Sequence, residues 1–313
     1  MFDKDNIHVV LYHGSRCADG LSAACVVKHY YHENDLDMPQ FKAVRYGEPF
    51  PDIDCENKNV LIVDFSFDEK TINDLILKTK DGLLIIDHHQ TSEDNLKNIP
   101  EKYKLFDKTY CGATLAWKYF FPTVKQPEFL DYIEAYDLWK LNSQLDWKSF
   151  NLVLSDLVGY SGDGTEAMLE IFIDCLHNKA TIKKLLKVGK IMQNVQQTHV
   201  ERHTNRSMII DCEDPLKIKS QLTIAFCNTT VYPNEISEKL LKNPNIDLVL
   251  VYYSDFSNNY KFSARSRDYP SNKFSELFGG GGHAKASGFA YTGDLTKNFI
   301  IIKQVLYSEW IEE

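Results

Sequence analysis

Three short apolar runs rich in β-branched residues lie in the first third of the chain: residues 8–12 (HVVLY), 60–64 (VLIVD) and 83–86 (LLII). None alternates with polar residues, so each predicts a strand buried on both faces, as in a parallel sheet. Segments with helical spacing, 21–31 and 69–78, follow the first and second runs. Strand, helix, strand, helix is the order of an α/β sheet with crossover helices. A lysine-rich segment, 179–205, repeats apolar residues at Ile182, Leu185, Leu186, Ile191 and Val195 and predicts a linking helix. Strand-like runs resume at 207–210, 222–226, 248–253 and 260–264, ahead of four glycines, Gly279 to Gly282. The pattern predicts a two-domain α/β protein: an N-terminal parallel-sheet domain over 1–160, a helical linker over 161–205, and a smaller C-terminal α/β domain over 206–313, with a cleft between the domains. No internal repeat or low-complexity tract is visible.

Composition narrows the class. At 313 residues and 43% hydrophobic content the chain can bury two ordinary cores. It has no apolar run of membrane-spanning length, and its start, MFDKDNIHVVLYHG, lacks the segments of a signal peptide, so a cytoplasmic protein with no membrane partner is expected. Seven cysteines, at 17, 25, 55, 111, 175, 212 and 227, are an odd number without C-x-x-C spacing, which argues against a disulfide framework and a zinc ribbon. The net charge of −9 disfavours a protein that grips long duplex nucleic acid by neutralising many phosphates.

The polar residues that end the strand-like runs carry the candidate chemistry. His13 follows the first run, Asp64 ends the second, and Asp87, His88 and His89 follow the third. In an open parallel sheet the carboxyl ends of the strands line the ligand crevice, so these side chains should converge. Asp19 lies in the turn that leads into the first helix. A lone Asp at a strand end is usually a cap or turn former. Three titratable residues together after a buried strand have no packing reason, and point to a metal or acid–base site. Carboxylates with imidazoles suit Mn²⁺ or a similar divalent ion, and two such ions would need a bridging carboxylate.

The chain resembles the DHH phosphoesterase superfamily, whose namesake triplet matches Asp87-His88-His89. It is similar to the family's first motif at His13-x5-Asp19-Gly20, its second at Val63-Asp64-Phe65-Ser66 and its fourth at Asp137, in Tyr136-Asp137-Leu138-Trp139. GGGGHAKASGF, from Gly279 to Phe289, resembles the signature of the DHH-associated C-terminal domain of nano-RNase or oligoribonuclease-like members. The resemblance implies two Mn²⁺ ions, with Co²⁺ or Mg²⁺ as substitutes. His13 and Asp64 would bind one ion, and Asp19, Asp64, His88 and Asp137 the other, with Asp64 as the bridge. It also implies that His89 acts near the scissile phosphate, that Asp87 orients the neighbouring histidine, and that water activated by the metals attacks phosphorus in line.

One departure stands out. Many family members carry Asp four residues after the motif histidine, where this chain has Cys17. Cys17 is then a thiolate ligand, or the first metal position is weakened and filled by water, or the loop is shifted and another group serves, or the side chain merely packs under the loop.

In the C-terminal half, consecutive glycines leave backbone N–H groups open to an anion, with a hinge as the alternative. Gly280, Gly281, Gly282 and His283 are the candidate phosphate cradle, and the small residues from 283 to 288 suit a helix packed on a strand. Arg265, at the end of a predicted strand, offers a guanidinium fork for phosphate. Arg267 reads as a solvated surface residue. Phe278 and Tyr269 are candidates to stack on a base, with core packing as the alternative for Phe278.

The function expected is hydrolysis of short oligonucleotides or linear dinucleotides to nucleoside monophosphates by an Mn²⁺-dependent phosphodiesterase, with homodimer formation left open. Alternatives are a cyclic-dinucleotide phosphodiesterase, a single-strand exonuclease, and a nucleotide-binding protein whose chemistry Cys17 has impaired.

Overall fold

The three apolar runs of the N-terminal half become neighbouring parallel strands in the structure, a computed structural model that describes residues 2–14, 17–138, 140, 142–160, 166–254 and 259–293. The chain divides into two compact units, Met1–Gln193 and Asn194–Glu313. Trp139, residues 161–165 at the start of the expected linker, and residues 294–313 at the end of the expected second domain lie outside the described residues.

The first unit begins with β1 (Val9–His13), α1 (Ala18–Glu33), β2 (Gln40–Val44), β3 (Val60–Val63), α2 (Glu69–Thr79) and β4 (Leu83–Asp87). It continues with α3 (Gln90–Asn95), β5 (Lys104–Phe106), α4 (Gly112–Phe120), α5 (Glu128–Asp137), α6 (Trp147–Tyr160), α7 (Glu166–His177) and the greater part of α8 (Lys179–Thr204). The strands pair in parallel in the order β2-β1-β3-β4-β5. Alternate residues feed two cores. Val10, Tyr12, Leu61, Val63, Leu84 and Ile86 face the core shared with α1 and α4, while Val9, Leu11, Val60, Ile62, Leu83 and Ile85 face Ile72 and Leu75 of α2. Burial on both faces is why these runs read as unbroken apolar stretches. Edge strand β2 is mostly exposed on one face and carries no such run, so the sequence pattern passes over it.

The order 2-1-3-4-5 has a physical consequence. The chain leaves β1 in one direction toward β2 and then crosses to β3 on the other side, so the loops after β1 and β3 diverge and open a crevice at their carboxyl ends. Local signals set the crossovers: Asp68 caps α2 by accepting the Thr71 N–H, and Lys80 ends it in the left-handed region at φ 49°.

The second unit holds the end of α8, then β6 (Met208–Cys212), β7 (Leu222–Asn228), α9 (Pro233–Leu240), β8 (Leu248–Ser254), β9 (Asn259–Ser266), α10 (Ser271–Glu276), β10 (Gly281–His283) and β11 (Ala286–Thr292). These strands form a mixed sheet, β10-β11-β9-β8-β7-β6, in which, among the described residues, only β7 and β8 pair in parallel. Here the expectation for residues 283 to 288 is corrected: they build the β10–β11 hairpin rather than a helix. Ser287 and Phe289 alternate inward, and Phe289 stacks on Phe262 and Phe278 at 4.6 Å each, so the small residues serve close strand pairing.

Candidate metal centre

Each predicted strand delivers its polar residue to one end of the first sheet. His13 is the last residue of β1, Asp64 follows β3, and Asp87 ends β4 with His88 and His89 directly after it. Asp19 is in the first turn of α1 and Asp137 is the last residue of α5.

Asp64 lies at the middle of the group and is fully buried. Its Oδ2 is 3.5 Å from His13 Nδ1 and 3.3 Å from Cys17 Sγ, and its Oδ1 is 3.2 Å from His88 Nε2. One carboxylate therefore presents an oxygen to each of two clusters. The first is His13, Cys17 and Asp64; the second is Asp19, His88 and Asp137, and within each the donor atoms lie within 4.8 Å of one another. His88 Nε2 is 3.6 Å from Asp19 Oδ2 and 3.4 Å from Asp137 Oδ2.

The Cys17 thiol donates to Asp64 Oδ2, whereas the histidine approaches are close without being hydrogen bonds. His13 Nδ1, Asp64 Oδ1 and His88 Nε2 are buried and have no hydrogen-bond partner among the described residues, an arrangement that ordinarily costs about 1–3 kcal/mol per group. Three unpaired donor atoms beside buried carboxylates fit a divalent cation, which would satisfy them together and neutralise their charge.

Electrostatics describe the same crowding. Burial disfavours charge on His88, but Asp64, Asp19 and Asp137 outweigh it and lift its pKa to about 9. Burial pushes Asp64 upward, and its His13 and His88 neighbours overcome this and hold it below the usual carboxylate range. Burial and the charges of Asp64 and Asp137 raise Asp19 well above that range, and Asp137 is raised mainly by burial. The Cys17 thiol is pushed up by burial and then by Asp64 and Asp19.

Asp87 has a different job. Its buried carboxylate accepts the Ser66 hydroxyl at 2.7 Å and the His88 amide at 2.7 Å, and meets His89 Nδ1 at 2.7 Å. A carboxylate only accepts, so the His89 Nδ1 carries the proton in that contact, which turns Nε2 outward as the working nitrogen. The hydrogen bond to Asp87 also raises the His89 pKa. Of the two neighbouring histidines, it is the His89 ring that Asp87 orients.

Several contributors left no mark in the sequence pattern. The Gly112 and Ala113 amides at the head of α4 donate to Asp19 at 2.7 and 2.8 Å, so a helix N-terminus from elsewhere in the chain holds that carboxylate. A Cβ on Gly112 would lie 2.6 Å from Asp64 Cβ, so only glycine lets α4 approach this closely. Tyr46, 52% exposed, lies edge-on to His13 and His89 and packs on Phe65 at 4.4 Å, forming an aromatic wall beside the donors. Cys17 caps α1, its Sγ accepting the Gly20 N–H at 3.4 Å.

In the second unit, Ala286 of β11 pairs with His283 on one side and Arg265 on the other, which sets these two residues level across the sheet, two strand spacings or about 10 Å apart. The Arg265 guanidinium donates to the Ala264 and Ser287 carbonyls and to Asn234 Oδ1, leaving part of its five-donor fork for another partner. The glycines are less open than expected: the Gly279 and Gly280 amides donate to the Glu276 and Ser275 carbonyls, and a Cβ on Gly280 would meet the Gly288 carbonyl at 2.2 Å. Gly279 and Gly282 have φ of 74° and 138°, so local conformation accounts for them, while Gly281 faces open space. Arg267 is not a solvated arginine; it donates to the carbonyls of Leu241, Pro244 and Ile246 after α9. Tyr269 is buried with its hydroxyl on Asp214, which takes it from the candidates for stacking on a base, and Phe278 is half-buried, packed on Phe274 and Phe289.

No protein-family model matches the chain. Uncharacterized protein R106 of Acanthamoeba polyphaga mimivirus is 26% identical over 318 residues, covering 94% of this chain and 69% of that protein. Among solved structures, the DHH domain of PF0399, a member of a family of ribosomal proteins, superposes with a TM-score of 0.58 at 14% identity, covering 98% of this chain and 87% of that one. A pGpG-specific phosphodiesterase, PggH from Vibrio cholerae, gives 0.54 at 12% identity, with 97% and 98% covered. Exonuclease RecJ bound to manganese gives 0.52 at 14% identity, with 96% and 90% covered. The chain has the fold of DHH-domain proteins, and the resemblance to the DHH phosphoesterase superfamily holds in three dimensions at the level of that fold.

Proposed function

We propose that this protein is a divalent-cation-dependent phosphodiesterase that hydrolyses short oligonucleotides or linear dinucleotides to nucleoside monophosphates. The observation that carries the reading is the trio of buried, unpaired donor atoms, His13 Nδ1, Asp64 Oδ1 and His88 Nε2, gathered around a carboxylate that faces two clusters. Bound Mn²⁺, with Co²⁺ or Mg²⁺ as substitutes, would supply a water of lowered pKa and neutralise charge on the phosphate oxygens.

The rest falls to the chain's own residues. His13, Cys17 and Asp64 would hold one cation, and Asp19, Asp64, His88 and Asp137 the other. His89, steadied by Asp87 through Nδ1, would place Nε2 against the scissile phosphate to hold it or hand over a proton. In the second unit, Arg265, His283 and the backbone of Gly281 and Gly282 would recognise a terminal phosphate. Supporting the substrate class are the net charge of −9, which disfavours long polyanions, and fold relatives that include a protein described as pGpG-specific and another described as an exonuclease. We place the protein in the cytoplasm; no helix among the described residues is long and apolar enough to cross a membrane.

Product analysis on 5′-labelled dinucleotide, a short RNA and a cyclic dinucleotide, each with Mn²⁺ and with chelator, tests this. Monophosphate release from the dinucleotide, abolished by chelator, is the expected result. Equal turnover with chelator, or none with Mn²⁺, Co²⁺ or Mg²⁺, defeats the proposal; nucleotide binding without turnover would favour the impaired-enzyme alternative, for which the Cys17 thiol is the specific motive.

A further inference from the structure

Away from the strand ends, the last turns of α1 and α7 bring together His29, Glu33 and His177. His29 and Glu33 are spaced i, i+4, so they share one face of α1. Each of the three offers one donor atom, and these atoms lie within 4.8 Å of one another. We propose that His29, Glu33 and His177 form a separate zinc-type metal site that clips the end of α1 to the end of α7.

The placement of His29 is the second observation. Its side chain is 8% exposed, and its Nδ1 lies 4.0 Å from Glu33 Oε1, beyond hydrogen-bond distance. Its orientation is set by packing. The ring stacks on Phe121 at 5.3 Å and on Trp117 at 6.1 Å, and meets the His177 ring edge-on at 4.6 Å. Burial, then His177, lowers the His29 pKa, so the ring is held in the neutral form that binds metals.

The donor set decides the class of ion. Two imidazoles and one carboxylate suit Zn²⁺, with the fourth tetrahedral position left to water. Bond lengths of about 2.0–2.2 Å require donors closer than those observed, so the two partly exposed side chains must draw inward. Glu33 is 52% exposed and His177 is exposed, which allows that adjustment. None of the three belongs to the centre described above, so the two readings stand or fall separately.

The test is a Zn²⁺ titration of the whole protein against a chromophoric chelator, with Trp117 fluorescence recorded in parallel. Wild type should bind one zinc equivalent that His177→Ala and Glu33→Gln lose or hold at least about tenfold more weakly. His32→Ala should keep it, although His32 Nδ1 also lies 3.8 Å from Glu33. Zinc should raise the melting temperature of wild type by more than that of the first two variants, and Mn²⁺-supported hydrolysis should be the same in all. Both replaced groups are exposed, and melting in chelator confirms folding. Indistinguishable titrations for wild type, His177→Ala and Glu33→Gln overturn the site, as does loss of zinc in His32→Ala with retention in His177→Ala.

Discussion

The Cys17 thiol lies 3.3 Å from Asp64 Oδ2 while accepting the Gly20 amide, so one side chain both caps α1 and faces the carboxylate between His13 and His88. Sulfur there is a softer donor than the carboxylate common in the family that the sequence resembles, and softness selects metals. Cys17→Asp should tighten Mn²⁺ and Mg²⁺ binding and raise activity with them, and Cys17→Ser should weaken Zn²⁺ and Co²⁺ more than Mn²⁺. Calorimetric titration of each metal checks both directions; unchanged preference in both variants would place Cys17 outside the ligand set.

Asp64 combines a central position with a left-handed backbone, φ 54°. Asn tolerates that region and Ala does not, so Asp64→Asn removes the charge without adding backbone strain. Activity should fall by about a hundredfold or more with the fold intact by circular dichroism. Asp64→Ala should show the same loss together with a lower melting temperature.

His88 sets the pH dependence. Its pKa rises from the ordinary 6.5 to about 9. In chelator, the protonated ring therefore contributes stability that is full below pH 6.5 and fades as pH climbs through about 9. A cation competes with that proton, so Mn²⁺ affinity should move the other way, rising with pH up to about 9. Melting curves in chelator and Mn²⁺ titrations at several pH values test the opposed trends.

Gly112 is a steric prediction. The added methyl of Gly112→Ala would press on Asp64, with an overpacking cost of about 1–3 kcal/mol. Cation binding should weaken more than global stability does, and an unaffected Mn²⁺ affinity would show that α4 yields instead.

Asp214 anchors the second unit. Buried at 1% exposure, it accepts the amides of Leu216, Ile218 and Lys219 and the Tyr269 hydroxyl. Burial pushes its pKa up, but these bonds hold it below the usual range. The stability it lends is present above the ordinary Asp pKa and is lost as pH falls through the lowered one. Asp214→Ala should cost about 3 kcal/mol at neutral pH, because three amides lose their acceptor. Chemical denaturation measures it.

The sequence by itself determined the strands whose runs are buried on both faces, and with them the positions of His13, Asp64, Asp87, His88 and His89, because a parallel sheet puts its strand ends on one side. The helix α8 was legible for a similar reason: its spacing is local. What only the tertiary structure decided depends on contacts between distant segments. The α4 amides that hold Asp19, the closeness that Gly112 permits, the direction in which Asp87 turns His89, and the meeting of His29 with His177 have no periodic signature. The β10–β11 hairpin misled for the same reason. Small residues suit close packing of either a helix or a strand, and the pairing of Ala286 with Arg265 and His283, rather than local propensity, settles which one forms.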